Sequence, residues 1–132
     1  VRLLLDTNAY TALRLGHSDV IERVQQSEKV LLSVVVAGEL FFGFRYGSRY
    51  EENADALRVF LGDPNVAVVP LTWRTAELFG HISAALRERG TPIPTNDIWL
   101  AAQAMEARAT LLSADLHFAK VDGLSWLSFS LG

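Results

Sequence analysis

LLLDTNAYTALRLG (residues 3–16) begins with three consecutive leucines. An unbroken apolar run this short predicts a strand buried on both faces. Asp6 closes the run, and TNAYTALRLG (7–16) predicts a short helix stopped by Gly16. The same unit then repeats along the chain. VLL (30–32) is a second buried strand, and Ser33 after it is placed to N-cap a helix through VVVAGELFFGFRYG that ends near Gly47. Val34, Val35, Val36, Gly38 and Gly43 weaken that helix, but its length and 3.6-residue spacing favour helix over strand. VAVVP (66–70) and TLL (110–112) predict a third and a fourth strand. Helices are predicted from Ser18 to about Gln26, over 51–62, over 72–90, and from Asp97 to about Arg108. Asp115 to Phe118 reads as a short turn or helix. LSWLSFSL (124–131) alternates as an edge strand does. Short, unalternating strands separated by helices predict a parallel sheet covered on both faces. The fold class is therefore α/β, a three-layer α/β/α domain with a central parallel sheet of four to five strands. Ligands of such sheets bind beyond the carboxyl ends of the strands.

The chain has 132 residues, a length that suits one domain spanning 1–132. Half of it is hydrophobic, enough to bury a substantial core, and it contains no Cys, which excludes a disulfide framework and any thiolate metal site. The longest apolar stretch, VLLSVVVAGELFF (30–42), is too short to span a bilayer and contains Ser33 and Glu39. VRLLLDTN at the start lacks a signal-peptide layout, so a cytoplasmic protein without membrane attachment is expected. Net charge is −3, from 12 basic and 15 acidic residues. That balance speaks against nucleic acid at first sight. If four of the acids serve a metal, 11 acids face 12 bases and the objection fades.

Four acids stand where strands end. Asp6 follows LLL directly, Asp115 comes three residues after TLL, and Glu39 lies in the second turn of the helix after VLL. Asp97 opens the helix that feeds TLL, and it shares the stripe of Ile98, Ala101, Ala102 and Met105 rather than the solvent face. Each has an ordinary alternative: a helix cap for Asp6 and Asp97, a turn for Asp115. Glu39, among Val36, Leu40 and Phe42, is harder to dismiss, since a buried Glu is expensive unless paired or bound to a cation. Carboxylates gathered at one place repel and raise each other's pKa, and a divalent cation removes that conflict. Hard oxygen donors without a His or Cys cluster favour Mg²⁺ or Mn²⁺.

LLLDTNAYTAL, LLSVVVAGELFFG, IPTNDIWLAAQA and TLLSADLHFAKVDGLSW, in this order, closely resemble the PIN-domain ribonucleases. Within them, the chain resembles the toxin subunit of a VapBC-type toxin–antitoxin pair. The resemblance covers nearly the whole chain. It implies a single PIN domain and a Mg²⁺-dependent endoribonuclease whose products carry a 5′-phosphate and a 3′-hydroxyl. The family's four acids fall on Asp6, Glu39, Asp97 and Asp115, and its supporting polar positions on Thr7 or Asn8, Asn96 and Ser113. The resemblance also implies a homodimer, and a cognate antitoxin whose C-terminal segment covers the active site. Asp6 and Asp97 are expected as principal metal ligands. Glu39 and Asp115 are expected to bind through water, hold a second ion or take a proton from the attacking water. Asn8, Asn96 and Ser113 are expected to orient ligands or phosphate.

FFGFRYGSRY (41–50) carries five aromatics interleaved with Arg45 and Arg49. One helix face cannot bury them all, so an interaction surface is expected, with the two Arg gripping RNA phosphates or acidic antitoxin residues. His17, His81 and His117 show no ligand spacing; His117, two residues after Asp115, could touch RNA, but a surface residue is the better reading. Trp73 and Trp99 could stack on bases, though packing is the better reading of Trp99. DTN also resembles the opening of the haloacid dehalogenase phosphatases, but Asn8 stands where their second Asp belongs. Two alternatives to the ribonuclease therefore remain: another metal-dependent phosphoryl hydrolase, and a catalytically silent RNA- or protein-binding module.

Overall fold

The computed structural model describes residues 1–131, so the last residue of the expected domain, Gly132, lies outside the described residues. The leucines of β1 (Arg2–Leu5) form the middle of a five-stranded sheet. The other strands are β2 (Lys29–Ser33), β3 (Val66–Val69), β4 (Thr110–Leu112) and β5 (Trp126–Leu127). Their order is β3-β2-β1-β4-β5, and every pairing is parallel. Leu4 stands opposite Leu31 on one side and Leu111 on the other.

Alternate side chains of these strands enter different cores, which explains why the runs are apolar without interruption. Leu3, Leu5, Val30 and Leu112 pack with Ala9 and Ala12 of α1 (Thr7–Arg14) and Val20 of α2 (Ser18–Gln26). Leu32 joins Val36 and Leu40 of α3 (Val34–Tyr46) and Leu57 of α4 (Tyr50–Leu61). Leu4, Leu31 and Leu111 meet Ala104 of α6 (Thr95–Ala107). Outside α6 lies α5 (Trp73–Glu88), joined to it through Ile82 and Leu86 against Ile98, Ala101 and Ala102. Each fully buried Leu contributes about 1.5–3 kcal/mol of transfer free energy, so the three leucines of β1 anchor both layers.

Three sequence expectations change. The helix opened by Asp97 begins two residues earlier, at Thr95, because Asp97 N already donates to the Pro94 carbonyl at 3.0 Å. That helix is not buried along one stripe: Leu100, Gln103 and Ala104 are as buried as Ile98, Ala101 and Ala102, since the sheet and α5 cover different sides. The edge strand expected over 124–131 shrinks to Trp126–Leu127. Phe129 leaves the ladder to enter the core of β1, edge-on to His17, whose Nε2 lies 2.7 Å from the Ser130 carbonyl oxygen. No helix among the described residues is long and apolar enough to cross a membrane.

Candidate active site

The parallel sheet puts the carboxyl ends of β1 and β4 side by side, and the chain turns sharply after each. After β1 it enters α1, where the Asp6 carboxylate caps the helix by accepting from Ala9 N at 2.7 Å. After β4 comes Ser113, fully buried, whose hydroxyl accepts from Asp115 N at 3.0 Å and bonds to Asp6. Asp115 precedes a 3₁₀ turn (Leu116–Lys120) without capping it through its side chain. Asp97, in the first turn of α6, also makes no cap; the capping position is Pro94. Glu39, on α3, is half-buried rather than fully buried, and its Oε1 accepts from Thr7 Oγ1 at 2.9 Å.

Asp6, Glu39, Asp97 and Asp115 line one open pocket of about 540 Å³, together with Thr7, Asn8 and Asn96. Ser113 supports it through Asp6 and Asp115. Burial pushes the Asp6 carboxyl up to about 6, and repulsion from Asp115 and Asp97 adds to the rise; the bonds from Ser113 and Ala9 oppose it. Asp97 is raised as well, first by burial and then by Asp115 and Glu39, while His117 pulls it down. The pocket therefore holds carboxylates in a state that a bound cation would relieve. Four oxygen-donor side chains and a nearby imidazole suit a divalent metal ion, and one donor atom each from Asp97, Asp115 and His117 lie within 4.8 Å of one another.

His117 corrects the sequence reading. It is mostly buried, not a surface residue, and its Nε2 lies 2.7 Å from Asp97 Oδ2. The signal available was its place two residues after Asp115, inside the turn that leaves the strand end. Arg45 and Arg49 are not brought to the pocket. The Arg45 guanidinium lies 3.9 Å from the Tyr50 ring centroid, and Arg49 pairs with Glu52 at 3.5 Å. Phe41, Phe42 and Tyr46 are exposed, as the crowded aromatics of 41–50 suggested. Beside the pocket runs an apolar groove of about 790 Å³, which includes Val35, Phe42 and Trp99 and shares Thr7, Glu39 and Asn96 with it. Trp99 stacks on Phe79 at 4.0 Å, whereas Trp73 is exposed.

Comparison with known proteins places this geometry in a family. The PIN domain profile matches residues 3–124. Ribonuclease VapC1 of Haemophilus influenzae (strain R2866) is 27% identical over 128 residues, covering 93% of this chain and 94% of the relative. Among solved structures, VapBC-1 from nontypeable Haemophilus influenzae aligns with a TM-score of 0.85 at 26% identity, over 97% of this chain and 98% of that one. VapBC2 from Rickettsia felis, bound to a DNA fragment from its promoter, aligns with a TM-score of 0.87 at 21% identity, over 98% of this chain and 100% of that one.

Proposed function

This chain belongs to the PIN domain family, and we propose that residues 1–132 act as a single-domain, Mg²⁺-dependent endoribonuclease, the toxin of a toxin–antitoxin pair. The observation that carries the reading is the meeting of Asp6, Glu39, Asp97 and Asp115 in one open pocket at the strand ends. The relative named a ribonuclease supports RNA as the substrate, and the VapBC structures support a cognate antitoxin as the inhibitor. Mg²⁺ fits the hard oxygen donors, with Mn²⁺ as the alternative. A bound divalent ion supplies Lewis acidity toward the phosphate and a lowered pKa for water.

The chain's own groups do the rest. Asp6 and Asp97 are the principal holders of the ion, and Asp115 completes the set. Asp6 is fixed from two sides, by Ala9 N and by Ser113, so its position is set before substrate arrives. Thr7 holds Glu39 by one carboxylate oxygen, leaving the other to accept the proton of the attacking water. Asn8 and Asn96, exposed at the rim, present amide groups to the scissile phosphate. The exposed aromatics of α3, with Arg45 and Arg49, form the surface offered to antitoxin or to flanking RNA. The protein works in the cytoplasm, as a homodimer or in complex with its antitoxin.

The test is cleavage of a mixed RNA pool by antitoxin-free protein, with Mg²⁺ or with EDTA, beside p-nitrophenyl phosphate as a small phosphomonoester. RNA cuts that need the metal support the reading. Turnover of the phosphomonoester alone would instead make this a small phosphatase, and folded protein inert toward both would make it a binding module.

A further inference from the structure

We infer that His117 is a nitrogen donor of the metal pocket and that its imidazole tilts the site toward Mn²⁺ over Mg²⁺. The inference rests on the metal-dependent reading above and adds a nitrogen to a donor set otherwise made of carboxylates.

Three observations lead there. The first is position. His117 Nε2 is 2.7 Å from Asp97 Oδ2, and donor atoms of Asp97, Asp115 and His117 all lie within 4.8 Å of one another, a span that ligands of one small ion occupy. The second is the state of that nitrogen. Nε2 is buried, and although it stands 2.7 Å from Asp97 Oδ2 and helps hold that carboxyl down, it is out of line for a well-formed N–H···O bond. A histidine serving only as N–H donor to Asp97 would be aligned with it. An imidazole clustered with two carboxylates, and poorly aligned as an N–H donor to the nearer one, suits a lone-pair donor to an ion held among them. The third is how the ring is held. Phe118, next in the chain, is only 1% exposed and anchors the turn, its ring centroid 4.8 Å from that of His117. The backbone between Asp115 and Phe118 is therefore short and fixed at both ends.

The chemistry then sets the preference. Mg²⁺ is a hard ion that favours oxygen ligands, whereas affinity for sites with nitrogen donors rises along the first-row divalent ions that begin with Mn²⁺, so an imidazole favours Mn²⁺ over Mg²⁺. A His117 that only balanced the charge of Asp97 would affect both metals alike. A His117 that ligates would affect Mn²⁺ more.

The experiment loads full-length protein with Mn²⁺ and records electron spin-echo envelope modulation, for wild type and for His117→Gln. Calorimetric titrations of both proteins with Mn²⁺ and with Mg²⁺ accompany it. Nitrogen modulation is expected in wild type and should vanish in the variant. The ratio of Mn²⁺ to Mg²⁺ affinity should fall about tenfold in the variant. The wild-type spectrum decides even if the variant folds poorly. Absence of nitrogen modulation from Mn²⁺-loaded wild type, nitrogen modulation that survives in His117→Gln, or an equal loss of both affinities overturns the inference and leaves the ribonuclease reading standing. Absence of any Mn²⁺ or Mg²⁺ binding defeats both.

Discussion

Asp6 accepts from Ala9 N at 2.7 Å and also lines the pocket with three other acids, so the cap and the site are one residue. The sequence offered these as rival readings, because an Asp after a strand and before a helix looks the same in either role. Burial pushes its folded carboxyl up to about 6 from the ordinary 3.8. The sign follows. Below pH 3.8 both folded and unfolded chains hold the proton and stability is undiminished. As pH rises from 3.8 to about 6 the unfolded chain ionises more readily, so the metal-free protein loses on the order of 2–3 kcal/mol. Asp6→Asn keeps a capping side chain and removes the charge. We predict that metal-free Asp6→Asn is more stable than wild type near neutral pH by about 1–3 kcal/mol, with the gap closing toward pH 4, as urea unfolding across pH would measure. Burial of this carboxyl depends on the sheet above it, which is why its titration could not be read from residues 3–8 alone.

At the scale of the element, α6 carries most of what the sequence concealed. Its apolar stripe was legible, but a helix covered by the sheet on one side and α5 on the other has no single buried face. Gln103 shows the consequence. It is fully buried, its Oε1 accepting from Ser33 Oγ and its Nε2 donating to the carbonyls of Val69 and Pro70, both at 3.1 Å. One side chain thus ties α6 to the ends of β2 and β3, partners at separations of 70, 34 and 33 residues that no local pattern reveals. Gln103→Leu fills the same space and leaves three groups unpaired. It should destabilise by about 2–4 kcal/mol in urea unfolding, and a loss below ~1 kcal/mol would show that water replaces the amide. The end of α6 offers the opposite case. Arg108 has φ 53°, the one non-glycine with positive φ among the described residues. Arg108 is exposed, so Arg108→Gly should raise stability by about 0.5–1 kcal/mol, measured the same way. The reverse lesson comes from β5, where alternation alone suggested eight residues of strand and the pull of Phe129 into the core left two.

For the whole molecule, the parallel order of the sheet turns a list of scattered acids into a pocket. That order was legible, because unalternating apolar runs between helices admit few other solutions. What the sequence left open was which side chains would accompany the acids: His117 arrives through the turn after β4, while Arg45 and Arg49 stay with Tyr50 and Glu52. A pocket whose acids are raised by burial and mutual repulsion should make the fold sensitive to metal. At a hundredfold excess over Kd, Mg²⁺ or Mn²⁺ should add about 2.7 kcal/mol, a rise in Tm of roughly 10 °C, and Asp97→Asn should lose most of it in a thermal melt. The most direct measurement is RNA cleavage by Asp6→Asn, Glu39→Gln, Asp97→Asn and Asp115→Asn, each shown to be folded by circular dichroism, beside wild type with Mg²⁺ and with EDTA. One metal-held site predicts that each substitution lowers the cleavage rate at least ~100-fold and that EDTA abolishes it. Cleavage at the wild-type rate by Asp6→Asn or Asp97→Asn, or in EDTA, would contradict it.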